Sequence, residues 1–140
     1  MQFSKSTDYA LHALAYLAHL NPSGPTGIKE LADVLNVSES YLSKIMTNLR
    51  KDGLVNAVPG AKGGYELARE ASRISFLDVI LAMEGRQHLF ECSNTTSKQH
   101  DMLVQKTPAP ECKIKRVMDA AETQFYDYLS NQSIQSLISQ

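Results

Sequence analysis

Cysteine is scarce in this 140-residue chain: Cys92 and Cys112 are its two thiols. Two are too few for the disulfide framework of a small secreted domain, and neither belongs to a C-x-x-C pair of the zinc-finger kind. An excess of positive charge is also missing, since the net charge is −1. That excludes a protein that coats nucleic acid non-specifically, a mode that needs a large surplus of lysine and arginine. No bilayer-length apolar run occurs: the stretch from Ala10 to Leu20 is short and is interrupted by His12 and His19. The start shows no charged-then-apolar signal pattern, so a cytoplasmic protein that does not enter membranes is expected. There is no Ser-His-Asp arrangement, no P-loop and no dinucleotide fingerprint, and an enzyme is not expected.

What the chain does have is an ordinary globular composition, 43% hydrophobic and 21% charged, enough for one compact unit with appendages. Helical spacing of Ala10, Ala13, Leu14 and Leu17 predicts a first helix from about Ser4 to Leu20, ended by Asn21-Pro22-Ser23-Gly24-Pro25. A second helix is expected from Thr26 to Leu35 on the stripe Ile28, Leu31, Ala32 and Leu35. After a turn at Asn36-Val37, Ser38 is a good N-cap and Glu39 suits the first turn of a third helix, whose stripe is Leu42, Ile45, Met46 and Leu49. Strands are expected at Leu54–Val58 and Tyr65–Leu67, joined by Pro59-Gly60-Ala61-Lys62-Gly63-Gly64. Ser75 and Asp78 form a capping-box pattern for a helix closed by Gly85.

Residues 86–110 are mostly polar and read as a long loop, unusual in a small domain and therefore either functional or partly disordered. From about Glu111 to Leu129 the stripe Ile114, Val117, Met118, Ala121, Phe125, Tyr128 and Leu129 predicts a long amphipathic helix, with a short helix after Ser133. The expected fold is mainly α: a winged helix-turn-helix over 1–85, a sensor loop over 86–110, and a dimerisation helix with its tail over 111–140. The long stripe suits pairing with a second copy of the chain; packing against Tyr9, Tyr16 and the first helix is the alternative.

Two short helices joined by a tight turn, followed by a Gly-rich hairpin, match the motif whose second helix enters the DNA major groove. If Leu42, Ile45, Met46 and Leu49 face inward, Ser40, Ser43, Lys44, Thr47, Asn48 and Lys51 face outward as short polar donors and cations. Lys62 at the hairpin tip is placed to reach phosphate or the minor groove. Ser38 and Tyr41, at the start of the same helix, complete the expected DNA-binding set. Between Ser38 and Gly64, Lys44, Arg50, Lys51 and Lys62 outnumber Glu39 and Asp52, a local cationic patch in a near-neutral chain. A two-fold dimer implies a palindromic double-stranded operator. A solvated helix face beside an ordinary turn is the alternative, as is a winged domain that binds proteins.

The stretches Ser6-Thr7-Asp8-Tyr9-Ala10-Leu11-His12-Ala13-Leu14, Tyr41-Leu42, Leu49-Arg50-Lys51-Asp52-Gly53-Leu54-Val55, Gly60 to Arg69, Ile74 to Ile80 and Glu84-Gly85 are similar to a known family. The chain resembles the winged-helix regulators that include the iron-sulfur sensors IscR, NsrR and RsrR. Many members hold an iron-sulfur cluster with three cysteines in the loop before the long helix; here the middle one is missing. In this respect the chain resembles the RsrR-like members, which use two cysteines with an acidic residue and a histidine of the first helix. The resemblance implies a 2Fe-2S cluster on Asp8, His12, Cys92 and Cys112, with the first-helix ligands supplied by the partner subunit, and a repressor that senses redox or iron-sulfur status.

The residues agree with that implication in part. Asp8 and His12 are spaced i, i+4 and share a helix face. Cys112 is expected in the first helical turn, where the dipole favours thiolate. A 2Fe-2S cluster takes four protein ligands, and histidine is known to replace cysteine on one iron. His88 and His100 in the loop are candidates to substitute for one of the four. Read without the family, Asp8 is a charge near a helix start, His12 a half-buried histidine and the cysteines small apolar residues. A further alternative is a thiol switch in which Cys92 and Cys112 are oxidised without a cluster.

Overall fold

The computed structural model describes residues 2–20, 24–92, 96–105 and 111–139. The expected helix breaker at Asn21-Pro22-Ser23 and parts of the expected loop, 93–95 and 106–110, lie outside the described residues. The elements are α1 (Lys5–Leu20), α2 (Ile28–Leu35), α3 (Glu39–Lys51), β1 (Val55–Val58), β2 (Gly64–Leu67), α4 (Phe76–Glu84), α5 (Lys98–Leu103), β3 (Val104–Gln105), β4 (Glu111–Cys112) and α6 (Lys113–Ser130), with 3-10 turns at Ala71–Arg73 and Ile134–Leu137. They form two compact units: Gln2–Gly85 with Leu129–Gln140, and Arg86–Tyr128.

The first unit is a mainly helical, winged helix-turn-helix. Ala10, Ala13, Leu14 and Leu17 of α1, Leu31 and Ala32 of α2, and Leu42, Ile45, Met46 and Leu49 of α3 are all buried in one cluster with Leu54, Val55, Ile74, Val79 and Ile134. Each large aliphatic side chain removed from water in this way contributes about 1.5–3 kcal/mol. Asn36 in the left-handed conformation makes the turn from α2 to α3, its N–H and that of Val37 bonding back to the end of α2. Ser38 Oγ then accepts from the Tyr41 N–H at 3.2 Å and starts α3. Between α1 and α2, the Tyr16 hydroxyl donates to Glu30 Oε2 at 2.8 Å, a hydrogen bond that raises the phenol pKa above its ordinary value.

The wing pairs β1 and β2 antiparallel, Val55 opposite Leu67 and Val58 opposite Gly64. The second helix begins at Ile28 rather than at the expected Thr26, because Thr26 exchanges both backbone hydrogen bonds with Tyr65, each 2.8 Å. A Cβ on Gly64 would run into the Thr26 carbonyl, and φ there is 143°, so only glycine fits. The Ser75–Asp78 capping box forms as the sequence predicts, each residue accepting from the other's backbone N–H at 2.9 Å. The chain returns to this unit at its end: Phe76 N–H donates to Gln132 O at 2.8 Å and Ile134 N–H to Ile74 O at 2.9 Å, with Ile134 fully buried.

The second unit departs from the long-loop expectation. Ser97 Oγ accepts from the His100 N–H at 3.0 Å and caps α5; β3 and β4 then pair, Val104 opposite Cys112. The long helix therefore begins at Lys113, and Cys112 stands in a strand immediately ahead of it instead of in its first turn. The buried side chains of α6 are Glu122 and Tyr126. Glu122 accepts from the Leu89 N–H at 3.3 Å, and Tyr126 donates to Gln87 O at 2.6 Å beneath Arg86. Of the predicted stripe of α6, Ile114, Val117, Met118, Ala121 and Tyr128 are exposed, Val117 being 68% and Tyr128 65% accessible, while Phe125 and Leu129 are half-buried.

Hydrogen bonds from the Ser4 hydroxyl and backbone N–H, the latter 3.1 Å from Oε1, hold the Glu84 carboxyl below its usual range. A depressed carboxylate contributes stability above its unfolded value, here 4.5, and loses it as pH falls through the folded value. Glu84→Gln should lower the urea midpoint near neutral pH, and the difference from the parent protein should vanish as the pH drops well below 4.5. A constant difference across that range would assign the bond no part in acid stability.

Candidate DNA interface and cysteine-histidine centre

Burying Leu42, Ile45, Met46 and Leu49 leaves the other side of α3 in solvent, as helical periodicity requires. Ser38, Ser40, Lys44, Asn48 and Lys51 are exposed, while Ser43 and Thr47 are half-buried. The Thr47 hydroxyl donates to Ser43 O at 2.8 Å, and Ser38 and Ser40 hydroxyls lie 3.4 Å apart. Ser43, Lys44, Thr47 and Asn48 line an open concavity of about 410 Å³. Tyr41 turns the other way: its hydroxyl is 3.2 Å from Ser6 Oγ and its ring meets Tyr9 edge-on at 5.8 Å. Lys62 is exposed in the β1–β2 turn.

In the second unit the two cysteines come together. Cys92 Sγ lies 3.4 Å from His100 Nδ1, and one donor atom from each of Cys92, His100 and Cys112 falls within 4.8 Å of the others. Cys112 is buried, Cys92 and His100 are half-buried. The Ser97 cap and the β3–β4 pairing set this up: the first orients the helix that carries His100, the second brings Cys112 beside Val104. Thiolates and imidazole are ligands suited to zinc and iron.

Asp8 and His12 belong to the first unit and pair with each other, His12 Nδ1 lying 3.1 Å from Asp8 Oδ1 with both side chains largely exposed. Of the two substitute histidines, His100 joins the cysteines, whereas His88 lies 3.4 Å from Glu122 Oε1. What singles out His100 is its position three residues beyond a capping serine, a signal that a polar six-residue helix makes easy to overlook.

Residues 3–140 match the family described as Rrf2, iron-dependent transcriptional regulator. The chain belongs to the Rrf2 family. YffB of Lactococcus lactis subsp. lactis (strain IL1403), whose name is that of an HTH-type transcriptional regulator, is 34% identical over 134 residues, 96% of this chain and 85% of that protein. CymR (YrzC), the global cysteine regulator of B. subtilis, superposes with a TM-score of 0.74 at 28% identity over 98% of this chain and 95% of its own. IscR of T. potens gives 0.73 at 28% identity over 99% and 86%, and the oxidised form of Staphylococcus aureus CymR 0.71 at 29% over 100% and 98%. As an Rrf2 protein the chain is a DNA-binding transcriptional regulator with a winged helix-turn-helix, and not an enzyme. Among the described residues, no helix is long and apolar enough to cross a membrane.

The unequal exposure of the two thiols has a chemical consequence. Iodoacetamide applied to the reduced, natively folded protein should alkylate Cys92 well before Cys112, and both equally in urea, as peptide mass spectrometry would show. Equal native rates would mean that the β3–β4 pair does not shield Cys112.

Proposed function

We propose that the chain is a homodimeric cytoplasmic repressor that docks α3 and the wing on a palindromic operator and reads redox or iron-sulfur status through a 2Fe-2S cluster. The observation that carries the sensing half is the convergence of Cys92, His100 and Cys112 directly ahead of α6. Second-copy pairing is supported by the large apolar side chains that this helix leaves in solvent: Ile114, Val117, Met118 and Tyr128. On the DNA side, Lys44, Lys51 and Lys62 would contact phosphates. Ser38, Ser40, Ser43, Thr47 and Asn48 would serve as short-range donors, and Tyr41 would hold the helix start in place.

The donor chemistry fits an iron-sulfur centre: two thiolates with imidazole or carboxylate partners make up the required four ligands. Cys92 and Cys112 would hold the cluster together with Asp8 and His12 of the partner subunit, the RsrR-like arrangement. Such a cluster, when bound, supplies a reversible one-electron change. The protein's own part is to keep Cys112 shielded and Cys92 reachable beside α6. Regulation then requires that the oxidised, reduced and metal-free forms differ in operator affinity, since only differential binding shifts an equilibrium.

A thiol switch is the second reading, favoured by the closeness of the two sulfurs and by the likeness to a CymR that has been seen in an oxidised form. In it, Cys92 and Cys112 would give up two electrons and two protons to a peroxide or disulfide oxidant and join as a disulfide.

Anaerobic purification with an absorption spectrum and iron and sulfide analysis separates the two readings. Colour with iron and acid-labile sulfide, lost in Cys92→Ser, Cys112→Ser, His12→Ala and Asp8→Ala, is expected; a colourless, iron-free protein that forms a disulfide on oxidation would select the thiol switch. For the DNA half, Lys44→Ala and Lys51→Ala should each weaken operator binding and lower the slope of log affinity against log salt by about one, as loss of a phosphate contact does. Anisotropy titrations with unchanged affinity and slope would remove α3 from the interface.

A further inference from the structure

Among the described residues, the segments that bring Cys92, His100 and Cys112 together bury few side chains. Helix α5 spans Lys98–Leu103 and has no buried residue, and each strand of the β3–β4 pair is two residues long. Isolated helices shorter than about 12–15 residues are marginal in water, and a small unit without an apolar core usually needs a cross-link or a metal. The three side chains sit where such a staple would join the coil at Cys92, the first turn of α5 and the strand before α6.

Their spacing is that of ligands to one metal ion. Zinc-type distances of about 2.3 Å to sulfur and 2.0–2.1 Å to nitrogen put tetrahedral sulfur-nitrogen edges near 3.6 Å and sulfur-sulfur edges near 3.8 Å. The Cys92 Sγ to His100 Nδ1 distance is 3.4 Å, and no donor pair exceeds 4.8 Å. Closing on an ion therefore takes shifts of at most about 1.2 Å against those edges. Two ligands on one tetrahedral iron of an iron-sulfur core would be similarly spaced, so it is the part played by His100 that separates the two readings.

We infer that, in the cluster-free protein, Cys92, His100 and Cys112 form a mononuclear Cys2His site for a zinc-class divalent cation, with the fourth position open to solvent or to a further ligand, and that the ion staples α5 and β4 into place. Binding releases both thiol protons, leaving a site of zero net charge: two thiolates, a neutral imidazole and the dication. The two thiolates offset the ion's charge, so it can sit just ahead of the positive end of the α6 dipole. The inference rests on reading this group as a metal centre. It differs from the cluster reading in making His100 a ligand and in needing neither Asp8 nor His12.

The test uses the full-length, reduced, metal-free protein titrated anaerobically with Co2+ and then with Zn2+. Expected are one Co2+ per chain, thiolate-to-cobalt charge-transfer absorption, the intense visible bands of tetrahedral cobalt, and displacement by Zn2+. His100→Ala should weaken Co2+ binding by about 100-fold, the upper end of what even an outer-shell partner's loss costs. His100→Gln, a milder change, should shift the visible bands. Amide exchange in residues 96–105 should slow on Zn2+ addition in the parent protein and not in His100→Ala. Co2+ binding without thiolate bands, or an unchanged spectrum and affinity in both His100 variants, would overturn the site. Iron-sulfide reconstitution run in parallel keeps the two readings apart. A cluster that forms independently of His100, in a protein that takes no Co2+, overturns this inference and leaves the sensor standing. One His100-dependent Co2+ with no reconstituted cluster does the reverse.

Discussion

Four side chains on one helix, Leu42, Ile45, Met46 and Leu49, set the geometry on which the first unit depends. A helix turns 100° per residue, so fixing this stripe against α1 and α2 leaves no freedom in which residues meet solvent. The cationic and hydroxyl-bearing side of α3 is therefore a by-product of core packing. Shortening Leu49 or Leu42 would leave a cavity costing about 2–5 kcal/mol and would also loosen the orientation of Lys44 and Lys51.

Periodic burial also decides which parts of the molecule are legible in the sequence. Where burial has a period, as in α1, α3 and the capped helix α4, the elements form within a residue or two of where apolar spacing and capping residues place them. The start of α2 was not legible because Thr26 is decided by a partner 39 positions away, Tyr65, whose backbone takes both of its hydrogen bonds. Nothing in the local residues near Thr26 announces that exchange. The polar stretch after Gly85 fails for a different reason. A six-residue helix and two-residue strands have no room to show a period, and their side chains bury little.

That second unit is organised by polar contacts where the first is organised by apolar ones. Glu122 and Tyr126 hold the backbone of Gln87 and Leu89 through hydrogen bonds, and the cysteine-histidine group converges beyond them. The expected ligand set was legible as chemistry but not as geometry. Cys92 and Cys112 could be named from composition. That His100, and not His88, accompanies them follows from the Ser97 cap and from the attraction of His88 to Glu122. Asp8 and His12 satisfy each other across one helical turn, as their spacing allows.

The Thr26–Tyr65 exchange has one more implication, for the behaviour of the wing in a crowded solution. A two-stranded ribbon ordinarily exposes two rows of unpaired amide and carbonyl groups, each a template on which another chain can add a strand. Here the outward-facing groups of Tyr65, in the interior of β2, are already occupied by a residue of the same chain. What remains along that side is too short to seed a third strand. On the β2 side, the hairpin is kept from acting as a sticky edge by the backbone of one threonine.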